Sequence, residues 1–142
     1  MYVNIVREVN MKISRSSGYA LLAAGYIAKN KDKGIIMSQD IAKKYKIPLE
    51  YLLKILQQLV KANLLRSKRG PRGGFSMGQA PSKITLLQII EAVDGPMVNQ
   101  LHLAEHAKRE KSAKKIEATY DKAIAQSKAV FKKVKLSDIV AS

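Results

Sequence analysis

The chain has 142 residues, the length of one domain with at most an appendage, and 46% of them are apolar. Its 26 lysines and arginines outnumber 11 acidic residues, and the resulting net charge of +15 favours a polyanionic partner such as DNA, RNA or an anionic membrane surface. These residues include no cysteine, which excludes disulfides and cysteine-ligated metal centres among them. Because no apolar run could span a membrane and no signal peptide is recognisable, we expect a cytoplasmic protein.

Residues 12 to about 95 alternate short periodic segments with turn signals. Residues 1–10 precede this pattern and are predicted to be an N-terminal extension. The predicted elements are a helix Ser16–Lys29 capped by Ser16 or Ser17, with an apolar face at Tyr19, Leu22, Ala23 and Tyr26; a strand Gly34–Met37; a helix Gln39–Tyr45 capped by Ser38; and a helix Pro48–Ala62 beginning at Pro48.

The remaining elements are two strands, one short helix and one long helix. Strands Leu64–Lys68 and Phe75–Met77 flank a loop rich in glycine and basic residues, and Thr85 caps a helix Leu86–Val93 that ends at Gly95. Residues 96–100 form a linker. Residues 101–135 contain neither glycine nor proline and predict one long helix.

This order of elements predicts a mainly α fold with a small β-wing, a winged helix-turn-helix, over residues 11–95. Ile41, Leu52 and Leu56 are expected to pack against the first helix, which leaves the start of the helix at Pro48 free to enter a major groove. Nine basic residues and one acid, Glu50, lie between Lys43 and Arg72. The loop could also be a solvated hairpin turn, but its place directly after a helix-turn-helix favours contact with nucleic acid.

The long helix carries an apolar seam with a spacing of about 3.5 residues, which is typical of a helix that packs on its twin. The predicted dimerisation residues are Ile116, Tyr120, Ala123, Ser127, Val130 and Val134, with Ile124 and Phe131 widening the face. Two alternatives are that the seam packs on its own domain or that the helix lies on a membrane surface. The membrane alternative is discounted because the face lacks tryptophan and has little leucine.

Several segments resemble one family closely. They are Met11–Ser14, Gly18–Leu21, Ile41–Ala42, Ile47–Leu52, Leu64–Phe75 (LLRSKRGPRGGF), Ile84–Leu86 and Glu91–Gly95. Together they span most of residues 11–95 and are similar to the Rrf2 (Rrf-two) family of bacterial transcription regulators, and Val134–Val140 resembles that family's final short helix. The resemblance implies a homodimeric winged-helix repressor or activator that binds double-stranded DNA at a partly palindromic operator.

The resemblance also implies where DNA is contacted: from Glu50, Tyr51 and Lys54 at the start of the recognition helix, and from Arg69 and its neighbours in the wing. The full set of candidate DNA-binding residues is Ser38, Gln39, Pro48, Leu49, Glu50, Tyr51, Lys54, Lys68, Arg69, Gly70, Arg72, Gly73 and Gly74. Two readings stay open for Glu50, a base contact or an acid that complements the helix dipole. Leu53 could contact a thymine methyl group or belong to the core.

Family members that carry an iron–sulfur cluster use three cysteines after the equivalent of Asp94–Gly95, and this chain has none there. We therefore expect no cofactor, and control by a small-molecule effector or a partner protein. His102 and His106 lie four residues apart, but two imidazoles make an incomplete site, so no metal site is predicted and both are read as surface or interface residues.

Two functions from different classes compete at this point. One is a sequence-specific dimeric regulator, and the other is a non-specific architectural or ribosome-associated nucleic-acid-binding protein. The first requires an affinity for one site that exceeds the affinity for bulk DNA by a factor of about 10³ or more. An enzyme is rejected because the sequence has no phosphate-binding motif and no paired carboxylates in a plausible cleft.

Overall fold

The computed structural model describes residues 14–68, 74–99 and 102–141. Its helices are α1 (Arg15–Lys29), α2 (Ser38–Tyr45), α3 (Leu49–Lys61), α4 (Leu86–Asp94), α5 (Leu103–His106), α6 (Lys111–Lys133) and α7 (Leu136–Val140). Its strands are β1 (Ile36–Met37), β2 (Leu65–Lys68) and β3 (Gly74–Met77). This arrangement confirms the predicted fold class, a mainly helical winged helix-turn-helix with a small sheet and a long C-terminal helix.

The three strands form one antiparallel sheet in the order β1-β3-β2. Lys68, the last residue of β2, pairs with Gly74, the first residue of β3. Gly74 is itself buried. A Cβ atom there would collide with the Ile35 side chain, so a larger residue would require that side chain to move.

The core forms where α1, α3 and the sheet meet. Ile41, Leu52 and Leu56 are fully buried, as predicted. The helix α1 contributes a face of small residues, including Ala20, Ala23 and Ala24, along which neighbouring helices approach closely. Packing of these small residues decides which side of α1 is buried, and that side differs from the predicted one. Leu22, predicted to be in the apolar face, is 45% exposed.

Three predicted helix starts are corrected by one residue. The N-cap of α1 is Ser14, whose Oγ accepts a hydrogen bond from the Ser17 N–H at 3.0 Å. Ser38 is the first residue of α2 and makes no capping bond, and Pro48 is the N-cap of α3 instead of its first residue. The prediction for Thr85 is confirmed, since it forms a reciprocal capping box with Gln88 at the start of α4.

The predicted single helix over residues 101–135 is wrong, because the structure divides it into α5 and α6. Lys108 and Arg109 adopt left-handed backbone conformations, with φ angles of 52° and 63°, and end α5. The Glu117 side chain of α6 accepts a hydrogen bond from the Ala104 N–H at 3.0 Å. This contact satisfies an otherwise free N–H at the start of α5 and holds the short helix against the long one. An alanine- and lysine-rich composition favours helix but carries no signal for such a turn.

A carboxylate joins the beginning of α1 to the end of α4. The Ser14 hydroxyl donates to Asp94 Oδ1 at 2.6 Å, and the Ser17 hydroxyl donates to Asp94 Oδ2 at 2.7 Å. Ser17 is completely buried, and the Asp94 carboxylate is the nearer of its two acceptors, since the Ile90 carbonyl oxygen lies 3.5 Å from the Ser17 Oγ. The contact holds the last turn of α4 against the first turn of α1, directly before residues 96–100.

Replacing Asp94 by alanine is expected to lower the free energy of unfolding by about 1–3 kcal/mol, because it removes the acceptor of the Ser14 hydroxyl and leaves the buried Ser17 hydroxyl with only the longer contact to the Ile90 carbonyl oxygen. Denaturant titration followed by circular dichroism measures this loss. Asp121, an exposed carboxylate on α6, supplies the control variant Asp121→Ala, for which a change below about 0.5 kcal/mol is expected. Equal stabilities of the two variants would contradict a role for Asp94 in joining the helices.

Candidate nucleic-acid interface

The helix α3 is strongly two-sided. Its inner face buries Leu52, Ile55, Leu56 and Leu59. Its outer face is polar and exposed, and consists of Glu50, Lys54, Gln57, Gln58 and Lys61. Because residues three and four apart share a helix face, Glu50, Lys54 and Gln57 follow one another along the outer surface at about 1.5 Å rise per residue. The arrangement presents a polar ridge of hydrogen-bonding groups that is held rigidly by the core behind it.

Tyr51 lies at the start of this ridge and is held in place by α1. Its ring meets the Tyr19 ring edge-to-face, with centroids 5.8 Å apart and planes at 89°, and its hydroxyl is hydrogen-bonded to that of Ser16. The side chain nevertheless remains 39% exposed. Ser16 and Tyr19 therefore position a candidate DNA contact, a role that no local sequence signal could indicate because the two segments lie 35 residues apart.

The other candidates before and within α3 divide by exposure. Gln39, Pro48 and Glu50 are exposed, and Leu49 is half-buried. Ser38, in contrast, is only 4% exposed, which corrects its prediction as a DNA-binding side chain.

Leu53 is half-buried and packs against the main core, which favours the core reading over a thymine contact. The side chain nevertheless borders a surface depression beside α3.

That depression has a volume of about 500 Å³. Its lining includes Ser16, Tyr51, Lys54, Gln57 and Gln58. The two glutamines were not among the candidate residues, although their positions three and four residues after Lys54 place them on its face. Glutamine can donate to and accept from the edge of an adenine base, so these side chains extend the candidate reading surface.

The structure describes only the base of the wing. Lys68 is exposed at the end of β2, and its neighbours Arg66 and Ser67 are exposed as well. Gly74, also a candidate, is buried where β3 pairs with both β1 and β2. The candidates Arg69, Gly70, Arg72 and Gly73 lie outside the described residues.

The predicted dimerisation seam on α6 divides into a covered side and an exposed side. Ile124 is 5% exposed and packs against Leu87 and Ile90 of α4, and Phe131 packs against the same cluster. On the same side of α6, Lys128 Nζ lies 3.8 Å from Glu91 Oε2 of α4. Ile124 therefore attaches α6 to its own domain and is not available to widen a surface offered to a twin, whereas Phe131 remains half-buried.

The rest of the seam remains accessible to different degrees. Ile116 is 47% exposed and Val130 is 60% exposed. Tyr120, Ala123, Ser127 and Val134 are half-buried between these two sides. An apolar stripe of two aliphatic side chains and one alanine thus runs along the solvent side of a 23-residue helix.

The described residues provide no clear place for a metal. Within residues 14–68, 74–99 and 102–141, no three metal-ligating side chains come together. A single helix over residues 101–135 would put His102 and His106 on one face. His102 instead precedes α5 with a left-handed backbone, so the two histidines do not share a regular helix face. These 142 residues offer no thiolate and do not fit a cysteine-ligated iron–sulfur cluster. Across the same described residues, no helix is both long and apolar enough to cross a bilayer.

Comparison with known proteins agrees with this geometry. A family model described as Rrf2, iron-dependent transcriptional regulator, matches residues 13–142. The chain is 43% identical over 81 residues to an HTH-type transcriptional regulator of Aquifex aeolicus, covering 57% of this chain and 56% of that protein. It is 36% identical over 84 residues to the regulator IscR of Aliivibrio salmonicida, covering 59% and 50%.

The chain therefore spans about half the length of these curated relatives. A solved structure, CymR, the global cysteine regulator of Bacillus subtilis, has a TM-score of 0.73 and 29% identity, covering 92% of this chain and 97% of that one. Proteins of this family are transcriptional regulators and not enzymes. From the family match, the winged helix-turn-helix and the exposed polar ridge of α3, we conclude that the chain belongs to the Rrf2 family of DNA-binding transcriptional regulators.

Proposed function

We propose that the protein is a sequence-specific repressor that binds a partly palindromic operator as a homodimer and needs no iron–sulfur cluster. The observation that carries this proposal is the polar ridge of α3, which combines hydrogen-bonding side chains with a rigid apolar back. Glu50, Lys54 and Gln57 have the donors and acceptors that distinguish base edges in a major groove. A non-specific binder would need only the positive charge.

The wing and the sheet supply the second part of the interface. Lys68 stands where the wing leaves β2, and the basic residues that follow it are suited to phosphates or to a narrow minor groove. Such contacts hold the position of α3 along the duplex and carry little sequence information themselves. The proposal assigns base reading to α3 and positioning to the wing.

A replacement of Arg69 by alanine is accordingly expected to weaken operator binding by about 1–3 kcal/mol. The change is measured by titrating labelled operator at fixed salt. If Arg69 contacts only phosphate, the loss is the same for operator and random DNA, whereas a minor-groove contact weakens the operator more. Unchanged affinity for both would remove Arg69 from the interface.

The apolar stripe of Ile116, Ala123 and Val130, in which Ile116 and Val130 are exposed, supports the homodimer. Leaving these side chains in water is unfavourable, and a second copy of the same helix offers a matching surface. A two-fold axis through this contact relates two recognition helices, so the half-sites of the operator are expected one or more helical turns apart. The location in the cytoplasm is part of the same proposal, since the target is duplex DNA.

One experiment separates this function from the architectural or ribosome-associated alternative. The purified protein selects genomic DNA fragments at ~150 mM salt in the presence of excess random competitor, and the recovered fragments are sequenced. The proposal expects a shared inverted repeat whose affinity exceeds that of bulk DNA by a factor of about 10³ or more. Fragments without a common motif, recovered both with and without cell extract, would favour the non-specific alternative. A motif recovered only with extract would indicate a controlling small molecule or partner protein.

A further inference from the structure

A second cleft shares no lining residue with the depression beside α3. It has a volume of about 410 Å³ and opens between the C-terminal half of α1, the end of α2 and the terminal helix α7. Along α1, Ser16, which contacts Tyr51 of the recognition helix, lies 5 residues before Leu21 and 13 before Lys29, so the cleft begins roughly 7 Å and ends roughly 20 Å further along the helix. The cleft is therefore distinct from the candidate DNA surface, although α1 borders both.

The charge in this cleft has one sign. Three lysines line it, namely Lys29 at the end of α1, Lys33 in the turn that follows and Lys44 near the end of α2. The lining includes no aspartate or glutamate. Three ammonium groups around one concavity repel one another, and a bound anion would relieve that repulsion.

One of these lysines is held in place by two aromatic rings. The Lys44 Nζ atom lies 5.8 Å from the centroid of Tyr26 and 5.9 Å from that of Tyr45. The two rings meet edge-to-face with centroids 6.2 Å apart. A cation placed against two rings loses less side-chain entropy when it binds a ligand than a freely rotating lysine does.

The lining also includes apolar side chains. They are Leu21 and Leu22 of α1 together with Ile139 and Val140 of α7. Leu22 is among the most exposed large apolar side chains in the described residues, and α1 turns it into this cleft and not into the core. Volumes of 300–1,000 Å³ with apolar walls and few charged groups are typical of sites for small molecules.

We propose that this cleft binds a small anion with an apolar body, a carboxylate or phosphate monoester attached to a hydrocarbon chain or ring. The anionic group pairs with Lys44 and is flanked by Lys29 and Lys33, and the hydrocarbon covers Leu22 and its neighbours. Charge complementarity selects this occupant over a neutral one. The binding is independent of whether the protein recognises an operator, so the two proposals succeed or fail separately.

Calorimetric titration of the full chain with decanoate tests this proposal. We expect saturable binding of one decanoate per chain, binding at least about tenfold weaker for Lys44→Gln, and recovery in Lys44→Arg, which keeps the cation. Lys122→Gln, an exposed lysine on α6, changes the net charge equally and is expected to bind as the unmodified protein does. Decyl phosphate is expected to bind like decanoate, and decanol at least about tenfold more weakly.

Several results would overturn the proposal. Equal binding of decanoate and decanol would show an apolar surface without anion selectivity. Equal losses of decanoate affinity in Lys44→Gln and Lys122→Gln would show that decanoate is attracted only by the net charge of the protein. Binding that appears only after the chain is made monomeric would show that a second copy covers the cleft. Because Lys44 is exposed, its variants are expected to keep the thermal unfolding midpoint of the unmodified protein, which circular dichroism checks.

Discussion

Replacing Ile116 and Val130 together by glutamate is expected to produce monomers and to weaken operator binding by at least about 100-fold. Both side chains are well exposed on α6, so the change adds no buried charge within the chain. In a homodimer the same positions would bring four carboxylates together along one interface. Sedimentation measures the loss of the dimer, and titration of a two-half-site operator measures the loss of affinity.

The opposite face of α6 supplies a matched control. Ala118 and Ala129 are exposed there, and Ala118→Glu with Ala129→Glu introduces the same charge into the same helix. This pair is expected to remain dimeric and to bind the operator with at most a few-fold loss. A dimer that persists undiminished in the Ile116 and Val130 variant would show that the stripe is not the interface. Glutamate at Ile124 would not serve this purpose, because it would disrupt the packing of α6 on α4.

Charge reversal at Lys54 is expected to weaken operator binding by about 100-fold. Truncating one base or phosphate contact costs about 1–3 kcal/mol, and a carboxylate at the same point adds repulsion from the phosphates. Lys54 is exposed on the outer face of α3, so Lys54→Glu is expected to leave the fold intact. Titration of operator and of random DNA at two salt concentrations measures the effect.

The control for this variant is Lys122→Glu, which makes the same change in charge on the exposed side of α6. Its loss of affinity is expected to be a few-fold and to disappear as salt rises, because it acts only through the general field of the protein. If Lys54→Glu and Lys122→Glu weakened binding equally, the ridge of α3 would not be the reading surface. A loss confined to the operator would assign base recognition to Lys54.

Much of the fold was predictable because its signals are local. The buried positions of α3 follow from leucines and isoleucines at three- and four-residue spacing, and the start of α4 follows from Thr85 and Gln88. The family, too, was predictable from short motifs. The starts of α1, α2 and α3 differ from the predictions by one residue, because sequence signals locate the end of a helix only to within a residue or two.

The sequence by itself determined the helix-turn-helix order, the excess of positive charge, the absence of thiolate ligands and the polar character of the outer face of α3. Only the tertiary structure decided how far a helix continues and what covers each apolar side chain. Glu117 accepts a hydrogen bond from the Ala104 N–H, and Ile124 packs against α4. The uniform alanine- and lysine-rich segment therefore forms two helices, and one side of the apolar seam on α6 is covered by the chain's own α4. Periodicity states which residues share a face, but burial depends on contacts between segments far apart in the chain. Those contacts place Tyr51 against Ser16 and turn Leu22 toward a basic cleft.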